Sequence, residues 1–331
     1  MPRLCIIPGD GIGREVIPAA AAVLQAVLPD LQTETAEAGW DCFLQHGTSL
    51  PDATLQAVER CGAGLFGAVS SPSHKVDRYR SAILELRQKL GLYANIRPVR
   101  SWPCISPRRD FDKDVDMVIV RENSEGIYSG IEHSDGETAV AERIITRSAS
   151  RRIAKRSVEL ARLLGRERLT IVHKANVLPL SDGLFRDSVR AVLEDSHYPL
   201  SVDELLVDVA ALKLHSEPHK FDMIVTTNLF GDILSDAAAY WGGGLGMAPS
   251  LNWGENIAVA EPVHGSAPDI AGKGLSNPLA AILSGALLAR LVWGEDKAAA
   301  RIESAVFDTL SSNVELSGGT TAITMAVLER L

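Results

Sequence analysis

From Phe221 to Thr227 the chain is apolar and rich in β-branched residues, and from Leu229 to Tyr240 the apolar positions return at helical spacing. A buried strand running straight into a helix is expected there. The same alternation fills most of the sequence. Leu4 to Ile7 reads as a strand, Arg14 to Val27 as a helix with Val16, Ala20, Val23 and Val27 on one face, Asp52 to Cys61 as a helix and Gly64 to Val69 as a strand. A helix from Arg80 to Leu90 and strands at Leu92 to Ile96 and Asp116 to Val120 follow. Beyond them come an exposed strand or arm over Glu137 to Thr146, a helix from Ser148 to Leu164 and strands at Leu169 to Val172 and Leu205 to Val207. Leu279 to Ala289 suits a buried or interface helix, and Asp296 to Leu331 suits two helices around a Ser-Gly-Gly turn. This rhythm predicts an α/β protein with a largely parallel sheet.

Polar residues with chemical potential collect where these apolar elements end. Asp232 and Asp236 are four apart, so a helix stacks both carboxylates on one face, where they repel unless a cation lies between them. They are candidate ligands for a hard divalent ion; the plainer alternative is a solvated helix face. Arg87, Arg97 and Arg121 lie at or near element ends and suit a substrate with several carboxylates, or else structural ion pairs. Lys174 ends a buried strand, where a lysine either assists proton transfer or reaches out to solvent. Asp208 is a third acid at a strand end. His215 and His219 have metal-like spacing, but Pro218 breaks the helix that would align them, which argues against a zinc site. In the turn Pro8 to Gly13, Val16 stands where a dinucleotide fingerprint has its third glycine, so a Rossmann fold is disfavoured. That turn serves either structure or a ligand. In Glu261 to Gly272, Asp269 suits the ribose diol of NAD and repels a 2′-phosphate.

Composition narrows the partners. The 331 residues are 46% hydrophobic and 23% charged with a net charge of −9, which suits a globular protein with a sizeable core and argues against a nucleic acid or an anionic membrane as the main partner. Cys5, Cys42, Cys61 and Cys104 show no C-x-x-C spacing, so free thiols in a reducing cytoplasm are expected. The N-terminal apolar run meets Asp10 too early for a secretory signal, and no stretch approaches the roughly 20 residues of a membrane span.

Taken together, the GDGIG turn, Leu86-Arg87 with Leu92 to Pro98, Arg121 to Tyr128, His173-Lys174-Ala175-Asn176, NLFGDILSD at Asn228 to Asp236, and EPVHGSAPDIAG resemble the β-decarboxylating dehydrogenases. These are the isocitrate, 3-isopropylmalate, homoisocitrate and tartrate enzymes, and the resemblance covers nearly the whole chain. It implies an isopropylmalate-dehydrogenase-like two-domain α/β fold with a large mixed sheet flanked by helices. Residues 1–98 plus 250–331 would form a discontinuous cofactor-side domain, and residues 99–249 a central domain with the dimer interface. It implies a homodimer with shared active sites, or a tetramer built from it. Arg87, Arg97 and Arg121 would clamp the substrate, with Ser71 and Asn176 also binding it. Asp232 and Asp236 would hold Mg²⁺ or Mn²⁺, joined across the dimer by Asp208, and Lys174 would cross with it. Tyr128 would be the acid that protonates the enol. His264, Gly265, Ser266, Ala267, Asp269, Ile270 and Asn277 would bind the adenosine side of NAD. The sequence departs from the family pattern at Ser124, where Thr is frequent, and at Val209-Ala210-Ala211-Leu212, where Asn-Cys-Ala-Met is common.

Three functions are therefore weighed: a metal-dependent oxidative decarboxylase, a metal-free Rossmann-type reductase, and a non-catalytic subunit. The missing third glycine disfavours the second and the complete set of reacting residues the third. Ser71-Pro72-Ser73-His74-Lys75-Val76 with Arg78 and Arg80 resembles the homoisocitrate branch, whereas Leu84 resembles the isopropylmalate pattern.

Overall fold

In the computed structural model, residues 1–74, 76–102, 105, 111, 113–312 and 318–331 are described; Lys75, Cys104 and Ser317, named above, lie outside them. The chain divides into two compact units. One comprises Met1–Leu92, Trp102–Ser106 and Gly243–Leu331, the other Tyr93–Ser101 and Pro107–Gly242. The sequence-based divisions fall at 98 and 249. The last crossing between the units falls within Gly242-Gly243-Gly244, where Gly243 and Gly244 take positive φ, a conformation that glycine adopts without steric cost.

The first unit orders its strands as Gln32–Thr35, Arg3–Gly9, Ala63–Ala68, Ala258–Pro262 and Pro249–Trp253. The first four run parallel, and the last pairs antiparallel with its neighbour. Ala63–Ala68 is buried along its whole length, as expected of a strand covered on both faces. Helix Gly13–Val27 presents its apolar stripe inward, and Val16, at the site of the missing glycine, is fully buried. Helix Leu279–Leu287 is buried all round, because a helix apolar on every face loses free energy wherever it meets water. Gly285 brings its backbone against the Leu24 side chain.

The turn at Pro8 to Gly13 proves to be a structural junction. The Asp10 amide donates to Ala68 O at 2.7 Å and the Ile12 amide to Ser266 O at 2.9 Å. The buried Asp10 carboxylate accepts from the amides of Trp40, Asp41 and Ser70. A side chain at Gly9 or Gly11, both at positive φ, would strike the carbonyl of Ala68 or of Ser266.

The second unit orders its strands as Ala94–Arg100, Asp116–Glu122, Met223–Thr226, Arg168–His173 and Ser201–Leu206. The last four are parallel and the first is antiparallel to its neighbour. The strand expected at Leu92 to Ile96 thus starts later and continues through Arg97 and Pro98. A charged residue does not end it because the Arg97 guanidinium is fully engaged, as described below. The helix expected from Arg80 starts at Ala82, since the Arg80 carbonyl accepts from the Ser49 hydroxyl and Ser81 is extended. The expected arm is a short hairpin of Glu132–Ser134 against Ala139–Ala141. The core joins Met117, Ile119, Val172 and Ile224 of the sheet to Leu214, Leu234, Ala238 and Trp241, each buried aliphatic side chain worth about 2 kcal/mol. Among the described residues no helix is long and apolar enough to cross a membrane.

Candidate active site

Parallel strands end in step, so whatever follows each of them gathers at one edge of the sheet. In the second unit the register pairs Thr226 with both Arg121 and Val172, and His173 with Leu206. Arg121, Lys174, Asp208 and helix Asn228–Ala239 therefore all lie at or just beyond the carboxyl ends of neighbouring strands. Asp208 sits in the first turn of helix Val207–Ser216 rather than on the strand itself, a position where a carboxylate is favoured by the free amides and the helix dipole.

Asp232 and Asp236 do share one helix face, and two arginines meet them there. Arg97 donates from Nη1 to Asp236 Oδ1 and to Ser235 Oγ, both at 2.7 Å, and from Nη2 to Asp232 Oδ1 at 3.4 Å; its Nε is held by Asn95 Oδ1 at 2.8 Å. Arg121, almost wholly buried, pairs with Asp232 and also donates to Asn228 Oδ1 at 3.0 and 2.7 Å. The acidic helix lies this close to Arg121 because residue 231 is glycine; a Cβ there would come within 2.6 Å of the Arg121 stem. The Tyr128 hydroxyl donates to Asp232 Oδ2 at 2.5 Å, and its ring lies beneath the Arg121 guanidinium. Burial, then the hydrogen bond and charge of Asp232, raise the Tyr128 pKa, so the phenol keeps its proton at neutral pH.

A second group lies on the adjacent strands. Lys174 Nζ donates to Asp208 Oδ1 at 2.5 Å, and this bond holds the Asp208 carboxyl below its usual range. The Lys174 backbone is itself anchored: its amide donates at 2.6 Å to Asp182, a fully buried acid that pairs with Arg143 at 2.6 Å. Arg143 also bonds Thr227 Oγ1 at 3.1 Å, directly before the acidic helix, and stacks over Phe230. Asn176 is exposed in the turn after Lys174.

Paired carboxylates that reach the same guanidinium supply the hard oxygen donors a Mg²⁺-class ion requires, so Asp232 and Asp236 fit such an ion. Asp208 does not join them within one chain: among the described residues, the only three donor groups gathered within 4.8 Å are Glu37, Cys42 and His46. His215 and His219 are likewise not gathered; the helix ends at Ser216 and His219 lies in a short turn begun by Pro218.

In the first unit, Arg87 donates to Glu261 Oε1 at 2.6 Å, and Asn252 Nδ2 holds the same oxygen at 2.7 Å. Ser71 is exposed, as is Leu84 on helix Ala82–Lys89. In the loop after Glu261, Gly265 and Asp269 are exposed, Ser266 is buried against Gly11 and bonded to Ser70 Oγ, Ala267 takes a positive φ of 37°, and Ile270 closes the turn onto Ala267 O. Burial pushes the His264 pKa down, and its buried Nε2 has no hydrogen-bond partner among the described residues. Asn277 Oδ1 accepts from the Leu279 amide at 3.0 Å and so also caps the buried helix.

Sequence reasoning missed Asp10, Arg143, Asp182 and Glu261. Each is a charged residue in an otherwise apolar or Gly-Pro-rich stretch, which was the available signal, but its partners lie far away in sequence.

Fold and site together define an oxidoreductase of the β-decarboxylating dehydrogenase class. The family model for isocitrate/isopropylmalate dehydrogenase matches residues 3–324, and the chain belongs to that family. It is 50% identical over 335 aligned positions to an isocitrate/homoisocitrate dehydrogenase of Thermus thermophilus, covering 99% of this chain and 98% of that one. It is 46% identical to a 3-isopropylmalate dehydrogenase of Methanothermobacter thermautotrophicus over 94% of this chain and 92% of that one. The crystal structure of isocitrate dehydrogenase from Methylococcus capsulatus superposes with a TM-score of 0.93 at 39% identity, covering 100% and 99% of the two chains. Enzymes of this family generally use NAD(P) and a divalent metal.

Proposed function

We propose that this enzyme oxidises and decarboxylates homoisocitrate to 2-oxoadipate, a step of lysine biosynthesis, using NAD and Mg²⁺ or Mn²⁺, and that it also accepts isocitrate. The observation that carries the substrate is the polar, exposed segment Ser71, Ser73 and His74 with Arg78 and Arg80, which suits a substrate arm ending in a carboxylate, whereas an alkyl arm gains by leaving water. The likeness to the Thermus enzyme supports the same substrate. Leu84, 40% exposed, favours the second reading, 3-isopropylmalate of leucine biosynthesis.

On this reading Arg97 and Arg121 take the substrate carboxylates, each guanidinium already fixed by a neutral partner, Asn95 or Asn228, so little side-chain entropy is lost on binding. When bound, the divalent ion supplies polarisation of the hydroxyl and carbonyl oxygens, and NAD the hydride acceptor. Lys174 and Asp208 take the hydroxyl proton; Asp208, 61% exposed in its side chain, passes it to water. After loss of CO₂, Tyr128 gives its proton to the carbon that bore the carboxylate. We read the enzyme as a homodimer with shared active sites: Leu180 just before helix Ser181–Asp195, Leu212 and Ile233 are large exposed apolar residues of the second unit, and Asp208 stands apart from the acidic pair in a single chain.

The test is NAD-linked kcat/KM for homoisocitrate, isocitrate and 3-isopropylmalate under identical Mg²⁺ and in EDTA. Homoisocitrate is expected to lead. A tenfold lead for isopropylmalate, about 1.4 kcal/mol of transition-state preference, transfers the assignment to the second reading.

A further inference from the structure

The first unit holds a second set of metal-type donors, of different chemistry from the acidic pair. Cys42 and His46 are one helical turn apart on helix Trp40–His46, which places both side chains on one face. Glu37 arrives from the loop before it. The donor atoms of these residues all lie within 4.8 Å of one another, and His46 Nε2 is 3.6 Å from Glu37 Oε2. Ligands about 2.1 Å from a tetrahedral ion are about 3.5 Å apart, so this pair already has the spacing and the third donor lies within 4.8 Å of both.

Both ligand-bearing segments are held in place. The amides of Trp40 and Asp41 donate to the buried Asp10 carboxylate, and the Glu37 carbonyl accepts from Thr54 Oγ1 at 2.7 Å. The neighbouring cation, Arg14, is taken up by Asp41 at 2.7 Å. Burial, then the charges of Glu37 and Asp10, raise the Cys42 thiol pKa, so binding of the ion must release that proton. A cavity of about 290 Å³ opens beside Glu37 and Cys42, with Asp41 and Gln45 also in its lining.

We propose that Glu37, Cys42 and His46 form a site for a borderline-soft divalent ion of the Zn²⁺ class, separate from the hard-ion site at Asp232 and Asp236. One sulfur, one imidazole nitrogen and one carboxylate oxygen match Zn²⁺ or Co²⁺ and mismatch Mg²⁺, which seeks six oxygens. Bound there, the ion ties helix Trp40–His46 to the loop carrying Glu37.

The test is Co²⁺ titration of the full-length, reduced enzyme saturated with Mg²⁺, read by the thiolate-to-cobalt charge-transfer absorption that only a cysteine ligand gives. One equivalent is expected in the wild type, Cys61→Ser and Asp232→Asn, with the band lost in Cys42→Ser and affinity reduced at least tenfold in His46→Ala. Mg²⁺-dependent turnover of Cys42→Ser and His46→Ala should stay at the wild-type level, which shows that they fold. Absence of the band in the wild type, or its survival in Cys42→Ser, overturns the proposal. Should Cys42→Ser fail to fold, Zn²⁺ protection of Cys42 against alkylation decides: protection in the wild type that His46→Ala abolishes supports the site, and equal protection in both refutes it.

Discussion

Asp232→Asn removes one charge without changing shape, and the structure says what that charge does in the free enzyme. The Asp232 carboxylate receives Arg121, Arg97 and the Tyr128 hydroxyl. Arg121 is 2% exposed in its side chain, and its other partner at this helix, Asn228, is neutral. Breaking a fully buried ion pair from one side costs about 3–5 kcal/mol. Here the acid is 31% exposed, so water recovers part of that, and about 2 kcal/mol is expected. That is roughly a 30-fold shift in the folding equilibrium. Urea unfolding followed by far-UV circular dichroism should show a lower midpoint at an unchanged slope. Turnover should fall at least a hundredfold, on the order of the loss of one group that stabilises transition-state charge. Wild-type stability within 0.5 kcal/mol together with full activity in EDTA would refute the reading of Asp232 as both counter-charge and metal ligand.

Tyr128→Phe should cut kcat by roughly 10²–10⁴-fold, the usual contribution of a general acid, and steady-state kinetics with the preferred substrate will measure it. The folded Tyr128 pKa lies above the unfolded value of about 10, so its contribution to stability is complete below that pH and is lost as pH rises through the folded value; Tyr128→Phe should flatten this alkaline decline in urea-unfolding series. Asp182→Asn leaves Arg143 without its buried counter-charge and loosens the Lys174 backbone, so stability should fall by about 3 kcal/mol and kcat more than KM, a split that a purely global loss of folding would not give. NAD should exceed NADP in kcat/KM, and Asp269→Ala should narrow the gap; a wild-type preference for NADP would remove the ribose role from Asp269.

Much of the site was legible because its residues follow strands whose apolar, β-branched composition marks them in the sequence. Asp232 and Asp236 could be placed on one face from helical periodicity alone, and Arg97, Arg121 and Tyr128 through the motifs around them. The strand through Arg97 and Pro98 was cut short, because charge and proline usually end a strand and only the distant Ser235 and Asp236 make a buried arginine tolerable there. The glycine-rich turn was open to a ligand or a structural reading until the carbonyls of Ala68 and Ser266 appeared against it.

Local composition therefore determined which segments are strands and helices and which acids and bases follow them, since periodicity and turn chemistry act over a few residues. Tertiary structure alone decided that Asp182 anchors Lys174 while holding Arg143, that Glu261 holds Arg87, and that Asp10 ties three segments together. A buried charge is stable only with a partner, and apart from the Lys174 amide eight residues from Asp182 these partners are brought together by sheet register and packing across tens to hundreds of residues, a distance at which no local pattern in the sequence carries information.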